Sequence, residues 1–235
     1  MAIAFFAHPA YAQMPSETSP LGLVAMLAGL ALLPFFLIMV TSFVKVAVVL
    51  SILRTAIGAQ QVPPNQVITG LAIVLTVYIM APVGMDIYTE VEPFLDAAEQ
   101  GTLDTGLSAM QEMGQTAMEP LRAFLLKHAD PEDRLLLHEL ALELRSPEQR
   151  EALGAEDLII LIPAFVVTEL KEAFTIGFIL FVPFIIIDLV VANILLSLGM
   201  HMLSPTTISL PFKLLLFVLV DGWYLIVKGL VLGYV

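Results

Sequence analysis

Long apolar stretches on both sides of one acidic segment constrain this 235-residue chain more than any other feature of its sequence. Residues 67–85 carry no charged side chain, and residues 173–200 carry one, Asp188. A helix that crosses a bilayer needs about 20 predominantly apolar residues, so both stretches are long enough. With 59% hydrophobic and only 14% charged residues, the chain is far more apolar than a soluble domain. The sequence therefore predicts an all-α membrane protein.

The net charge is confined to the middle of the chain. Residues 86–157 hold 17 acidic and 5 basic residues, and their net charge of −12 equals that of the whole chain. Charges this dense cannot lie in hydrocarbon, so we predict a water-exposed helical domain, with amphipathic helices at residues 121–126 and 135–144. The scarcity of Lys and Arg favours the outer, periplasmic side of the membrane. The lack of a basic face argues against nucleic-acid binding.

This distribution divides the chain into four predicted segments. They are an N-terminal segment (residues 1–20), an apolar helical hairpin (21–85), the acidic segment (86–157) and C-terminal apolar helices that include a pore loop (158–235). The tripeptide that ends at Ala12 has the small-residue form of a signal-peptidase site, but no positively charged region precedes it. Cleavage and an uncleaved N-terminus are therefore both left open.

Prolines and small polar residues mark the expected helix ends. Pro34 is predicted to kink the first helix or end one of its turns, because it lacks an N–H group. Residues 60–66 are predicted to separate two helices, with Asn65 as the N-cap of the second. Residues 101–114 are predicted to form a loop. Residues 203–211 contain two prolines and are predicted to form the turn of a C-terminal helical hairpin.

Seven ionisable residues interrupt the apolar flanks, where a charge in a membrane helix costs about 2.5–3.5 kcal/mol. Such residues are kept where they are paired, solvated or functional. One interpretation is a proton or ion relay through Glu169, Asp188 and Asp221, although no histidine or polar ladder accompanies them. The seven residues are Lys45, Glu169, Lys171, Glu172, Asp188, Lys213 and Asp221.

Two further interpretations concern the surroundings of these charged groups. Lysines near helix ends can extend their charged groups into the interface, which suits Lys45, Lys171 and Lys228. The interpretation we favour is pairing between subunits of a ring. The acids are then Glu169 and Asp188, and the bases are Lys213 and Arg54. Such pairs would fix the register of a ring more reliably than they would stabilise it.

The segment Gly199-Met200-His201-Met202 precedes the predicted turn and also has several interpretations. Met is commonly a flexible residue that fills gaps in apolar cores. A copper site is conceivable, since thioether and imidazole groups suit copper(I), but three consecutive residues do not easily enclose one ion. Flexible thioethers at a loop tip would alternatively close a pore around a central axis. This interpretation of Met200, His201 and Met202 requires several copies of the chain around one axis.

No catalytic motif is present in the sequence. It contains no phosphate-binding loop, no G-x-S-x-G and no H-E-x-x-H pattern, and His8, His128 and His138 stand apart from one another. It also contains no cysteine, which excludes disulfides and cysteine-bound metals. We therefore predict a protein that is not an enzyme and that needs no cofactor or metal.

Several sequence blocks resemble those of a known family. Residues 41–54, which include TSF and LSILR, and residues 61–67, QVPPNQV, resemble the N-terminal signature of the FliP/SctR family of type III secretion export-apparatus proteins. The C-terminal pattern is similar in ELKEAFTIGF and PFIIIDLVVA, and again in LPFKL and VDGW. TELKEAF and SPTTISLPFK favour the virulence-type SctR branch over flagellar FliP.

This resemblance implies a fold and a role in the bacterial inner membrane. Such proteins form a pentameric ring of helical hairpins that, with SctS/FliQ-like and SctT/FliR-like partners, makes the entry portal for unfolded substrates. The ring rises out of the membrane plane, so apolar helices face neighbouring subunits as well as lipid. Met200 and Met202 match the methionine cluster that seals the closed pore, whereas His201 stands where a third methionine is common.

The resemblance also bears on the buried charges. Glu169, Asp188 and Lys213 match charged positions of the family that are expected to pair between subunits. The alternative function from a different class is a proton-coupled transporter that uses Glu169 and Asp188 within the membrane.

Overall fold

The computed structural model describes residues 20–58, 63–99, 107–150 and 153–235. The tripeptide that resembles a signal-peptidase site, with nearly all of the predicted segment 1–20, lies outside the described residues. Within them the chain is helical, without a strand, which confirms the all-α prediction. The helices are α1 Pro20–Met39, α2 Phe43–Ile57, α3 Asn65–Glu99, α4 Leu107–His128, α5 Pro131–Glu143, α6 Pro147–Arg150, α7 Leu158–Ser197, α8 Pro205–Leu219 and α9 Gly222–Leu232.

The chain divides into two compact units, Met1–Leu37 and Ile38–Val235. The described part of the first unit belongs to α1, whose large apolar side chains are exposed, among them Leu23 and Leu30. A helix that is apolar all round needs lipid or another protein surface around it. Pro34 lies inside α1 and does not end it, since the helix continues to Met39.

The second unit has a first core cluster in which α2 packs along α7, with α3, α8 and α9 around them. Helical spacing of apolar residues gives α2 a continuous buried stripe. Because Gly177 of α7 has no side chain, Ile52 of α2 lies directly against the α7 backbone. The buried apolar residues of the stripe are Val46, Val49, Leu50, Leu53, Ala56 and Ile57.

We expect Gly177→Ala to destabilise the protein by about 1–3 kcal/mol, because the added methyl group would overlap the Ile52 side chain. Gly70→Ala in α3 is the matched control. Apart from the backbone of its own helix and its chain neighbours, no atom lies within 4 Å of a methyl group at Gly70, so this change should stabilise by about 0.5–1 kcal/mol through helix propensity. Unfolding temperatures of the detergent-purified variants test both. Equal shifts of the same sign would contradict the close packing at Gly177.

A second core cluster joins α4 to the first half of α7. Aromatic rings form much of it: Phe124 of α4 lies 5.7 Å from Phe165 of α7 and 6.0 Å from Tyr234, measured between ring centroids. The helix α4 belongs to the acidic segment, and its apolar face is thus buried on α7 instead of being free in water. The other fully or largely buried members are Val40, Leu121, Leu125, Ala129, Leu161 and Ala164.

Helix ends differ from the predictions at four places. The helix α3 passes Asp86 and continues to Glu99, because its acidic side chains there are exposed and need no apolar partner. The helix α7 begins at Leu158, well before the apolar residues 173–200, and runs without interruption through Glu169, Lys171 and Glu172. The loop predicted over residues 101–114 was wrong from Leu107 onward, where α4 already begins.

The fourth difference is the turn of the C-terminal hairpin. It lies between α7 and α8, earlier than the predicted residues 203–211. Pro205 occupies the first turn of α8, where its missing N–H group would have no helical partner in any case. Pro211 lies inside α8. The prolines therefore mark the start of the second helix of the hairpin and not its turn.

Three of the described helices are long and apolar enough to cross a membrane: the part of α1 at Gly22–Met39, α3 and α7. The helices α8 and α9 meet at an angle of 60° and would make a fourth span if counted together. The bend lies at Asp221, whose φ of 52° is left-handed, and Gly222 follows because a Cβ there would overlap the Phe217 ring. These long apolar helices indicate an integral membrane protein.

Candidate functional site

A buried ion pair connects α2 to α7. Lys45 of α2 is 2% exposed and Glu169 of α7 is fully buried, with 2.9 Å between Nζ and Oε1. Glu172, one turn further along α7 and half-exposed, approaches the same Nζ to 2.6 Å. The Tyr234 hydroxyl donates a hydrogen bond to Oε2 of Glu169, and Lys45 lies 4.3 Å from the centre of the Tyr234 ring.

This geometry shows that the interfacial interpretation of Lys45 was wrong. Its side chain points into the protein because two carboxylates and an aromatic face are available there. A fully buried carboxylate is costly unless it is paired and hydrogen-bonded. Glu169 has both kinds of partner, because Lys45 pairs with Oε1 and the Tyr234 hydroxyl donates to Oε2.

A second polar cluster lies nearer the hairpin tip and joins α2, α7 and α8. Lys213 of α8 is 4% exposed and its Nζ lies 2.6 Å from Asp188 of α7. Ser209 is fully buried and donates to the other carboxylate oxygen of Asp188 at 2.5 Å. Lys213 also donates to the carbonyl oxygen of Ala56 at 3.2 Å. The carbonyls in the last turn of a helix lack helical partners, so Lys213 satisfies the end of α2 as well.

A third cluster connects the acidic segment to α7. Asp133 of α5 is 6% exposed and accepts hydrogen bonds from Thr168, at 2.9 Å, and from Lys171, at 3.0 and 3.1 Å. The backbone N–H of Asp130 donates to the Thr168 hydroxyl at 2.9 Å. The side chain of Lys171 remains half-exposed, and its charged group binds Asp133.

The charges predicted to pair between subunits thus have partners inside one chain. Glu169 pairs with Lys45, and Asp188 pairs with Lys213. Arg54 donates to the side-chain oxygen of Asn65. Pairing of these side chains across a subunit interface stays a prediction.

His128, at the end of α4, lies beside the Lys45–Glu169 pair. Its ring lies 4.8 Å from Phe124 and 5.0 Å from Tyr234, measured between centroids. Burial lowers the pKa of His128 below its usual value, and the positive charges of Lys127 and Lys45 lower it further, against a weaker opposing effect of Glu172. The imidazole therefore resists protonation in the folded protein.

This lowered pKa predicts that the stability contributed by His128 is fully present above a pH of about 6.5, the ordinary pKa of histidine. This contribution declines as the pH falls below that value. The unfolded chain binds a proton there more readily than the folded one. We expect His128→Phe, which keeps the ring, to flatten the pH dependence of the unfolding temperature. His201→Phe, at an exposed position, is the control. An unchanged slope in His128→Phe would contradict the assignment.

The hairpin tip connects α7 to α8 through a tight helix end. Gly199 has a φ of 73°, and the N–H groups of Gly199 and Met200 donate to the carbonyls of Leu196 and Leu195 at 3.1 and 2.9 Å. This pair of hydrogen bonds is the Schellman motif, which ends a helix with a left-handed glycine. It turns the next residues outward: Met200 is 47% exposed and Met202 is 97% exposed, and His201 between them is also exposed.

The proton-relay interpretation is not supported by the spacing of Glu169 and Asp188. At about 1.5 Å of rise per residue, Glu169 and Asp188 lie roughly 28 Å apart along α7. Each carboxylate also has a lysine partner of its own. Among the residues that the structure describes, no group of three or more His, Asp or Glu side chains is arranged to hold a metal ion.

Sequence reasoning missed Tyr234, Ser209, Thr168 and Asp133 as partners of the buried charges. Ser209 and Thr168 are ordinary polar residues in apolar stretches, and a helical hydroxyl often bonds its own backbone. Asp133 was one of many acids in the acidic segment. The available signal for Lys45 was its place within an apolar run, but no pattern along the chain identifies Glu169 as its partner.

Comparisons with known proteins give the family. The FliP family profile matches residues 26–230. The chain is 45% identical over 222 residues to Yop proteins translocation protein R of Yersinia pestis, which covers 94% of this chain and 98% of that protein. It is 43% identical over 212 residues to the hypersensitivity response secretion protein HrcR of Ralstonia nicotianae, covering 90% and 96% of the two chains.

A flagellar relative is about equally similar. The chain is 43% identical over 217 residues to the flagellar biosynthetic protein FliP of Bacillus subtilis, with 92% of this chain and 93% of that protein covered. The preference for the virulence-type branch therefore stays a prediction. The chain belongs to the FliP family of type III secretion and flagellar export proteins.

Proposed function

We propose that this chain is the pore-forming subunit of a type III secretion export apparatus, which assembles as a pentameric ring and forms the entry portal for unfolded proteins. The observation that carries this proposal is the hairpin of α7 and α8. Its charged residues are paired internally, whereas it exposes an apolar surface along its length and two methionines at its tip. An apolar surface of this extent needs lipid or other protein around it.

The exposed apolar side chains of α7 are compatible with neighbouring subunits on more than one face. Phe174, Phe178, Ile186 and Leu189 are all more than half exposed. In the proposed assembly these residues contact sister subunits and the SctS/FliQ-like and SctT/FliR-like partners, and the remaining apolar surface contacts lipid. The acidic segment between α3 and α7 lies on the periplasmic side.

In the same assembly the hairpin tips converge on the axis of the ring. Met200 and Met202 of each copy then close the channel, because unbranched thioether side chains adapt to irregular gaps. His201 adds a polar group to this closure. A proton-coupled transporter is the weaker alternative, since Glu169 and Asp188 are far apart and individually paired.

The mass of the detergent-purified complex tests the assembly. Co-expression with the two partner proteins is expected to give a ring that contains several copies of this chain. A chain that stays monomeric beside its partners would overturn the proposal.

The ion conductance of the assembled complex tests the closure. Met200→Ala with Met202→Ala is expected to raise the leakage of the closed complex several-fold, since each change removes most of a flexible side chain from the seal. The control is Met39→Ala with Met85→Ala, which changes exposed methionines of α1 and α3 and should leave the leakage unchanged. Equal leakage in both double variants would contradict a sealing role of the tip.

A further inference from the structure

Tyr234 follows α9 and contacts three other helices of the second unit. Its ring stacks on Phe124 of α4 with an interplanar angle of 15° and lies under the charged group of Lys45 of α2. Its hydroxyl donates to Glu169 of α7. The residue is 9% exposed, so nearly all of its surface is committed to these contacts.

The backbone attaches Tyr234 firmly to α9. Its N–H group donates to the carbonyl of Val231 at 3.1 Å, which continues the last helical turn. The main-chain oxygen of the following residue, Val235, accepts a hydrogen bond from Lys127 of α4 at 3.2 Å. A shift of α9 along its axis would therefore have to break the contacts of Tyr234 with α4 and α7.

Two polar contacts hold the segment formed by α8 and α9, which we call the arm, against α7. At its start Lys213 and Ser209 bind Asp188, and beyond its end Tyr234 binds Glu169. The 60° bend at Asp221 lies between them. Because the arm begins directly after the hairpin tip, both contacts restrict where the tip can lie.

The hydroxyl of Tyr234 donates to one of the two acids that contact Lys45. Glu172 is half-exposed and lies 2.6 Å from Nζ of Lys45, closer than the buried Glu169, which lies 2.9 Å from it. Glu172 can be solvated by water, whereas Glu169 depends on protein partners alone. Removing one of the two partners of Glu169 leaves an underpaired buried carboxylate, which is the more costly arrangement.

We propose that Tyr234 is a positioning residue of the export subunit, whose hydroxyl holds Glu169 on Lys45 and whose ring fixes the end of the arm against α4. This inference rests on the proposed function, because the position of the arm sets the position of the pore-closing tip. Tyr234 acts through Glu169 and the arm and does not itself contact the channel.

The first test is Tyr234→Phe, which keeps the ring and its stacking but removes the hydroxyl. We expect its unfolding temperature to fall by about 5 °C, the shift for losing one hydrogen bond to a charged group in a chain of this size. The matched control is Tyr224→Phe on α9, where the tyrosine is 57% exposed, and it should change little. In a Glu169→Gln background the effect of Tyr234→Phe should fall to less than half. Additive effects would overturn the coupling.

The second test separates positioning from mere support of the fold. If the hydroxyl keeps Lys45 on Glu169 against competition from Glu172, then Glu172→Gln should restore the Tyr234→Phe variant. We expect Tyr234→Phe to raise the ion leakage of the assembled complex several-fold and the double variant with Glu172→Gln to return most of the way to the parent. A double variant as leaky as Tyr234→Phe would overturn the inference, as would a Tyr234→Phe complex that is as tight as Tyr224→Phe.

The two tests also separate this inference from the proposed function. Failure of the unmodified chain to form a ring would refute the function. The coupling of Tyr234 to Glu169 would then still be decided by the unfolding temperatures, which need no assembly.

Discussion

Replacing Lys45 by methionine is expected to lower the free energy of unfolding by about 3–5 kcal/mol, the cost of leaving one member of a buried ion pair without its partner. Glu169 is fully buried, and Lys45 is the cation that neutralises it. Methionine fills a volume similar to that of lysine, so the loss of stability arises from removal of the positive charge and not from a cavity. An unfolding temperature lower by about 10 °C or more is the expected measurement in detergent.

Two further variants identify the source of this loss. Glu172→Gln removes the half-exposed acid beside Lys45 and should cost at most about 1 kcal/mol, because water solvates Glu172 and Glu169 still neutralises Lys45. The double variant Lys45→Met with Glu169→Leu removes both buried charges and should recover part of the lost stability, since apolar replacements of buried pairs are often neutral. The recovery is incomplete because the Tyr234 hydroxyl loses its acceptor. A Lys45→Met protein as stable as its parent would contradict a structural role for the pair.

The fold class was predictable because it depends on properties that accumulate along the chain. Apolar stretches of about 20 residues and a segment with nearly all of the net charge are visible without any knowledge of contacts. Both predicted amphipathic stretches of the acidic segment lie almost wholly within helices, residues 121–126 in α4 and residues 135–144 in α5, which ends at Glu143. Leu121 and Leu125 of α4 follow the helical period and are buried. The leucines at residues 135–144 instead lie all round α5, and Leu135, Leu136 and Leu140 are exposed.

Helix ends were less predictable because a proline or a charged residue can either mark the end of a helix or lie inside one. Pro34 and Pro211 lie within helices, whereas Pro205 begins one. Asp86 could have ended a helix at the membrane surface, yet α3 continues past it into exposed, solvated turns. Both outcomes are allowed by local chemistry, and the tertiary surroundings decide between them.

The partners of the buried charges were less predictable still. Asp188 and Lys213 were among the charges expected to pair, but between subunits, and they pair within the chain. Lys45 and Glu169 lie far apart in sequence, and their contact depends on how α2 packs on α7. The sequence showed that such charges require compensation but not which residue supplies it. Tyr234 illustrates the limit, because an aromatic residue beyond an apolar helix carries no mark of its hydrogen bond to Glu169.

The largest effect expected on assembly comes from reversing the charge of Lys213. Lys213→Asp would place a second carboxylate against Asp188 and remove the hydrogen bond to the Ala56 carbonyl. We expect a loss of roughly 3 kcal/mol or more in stability and a failure to form the ring or to export substrate. Lys228→Asp, an exposed lysine of α9, is the control and should assemble normally.

The reciprocal change distinguishes pairing within a chain from pairing between subunits. Combining Lys213→Asp with Asp188→Lys in one chain is expected to restore assembly in part, since the ion pair returns but the aspartate cannot donate to Ala56. Co-expressing the two single variants as separate chains should not restore it, because Asp188 and Lys213 lie 2.6 Å apart in the same chain. Mixed rings that assemble and export would show instead that the two charges meet across the subunit interface, and the mass of the complex with its secreted substrate measures both outcomes.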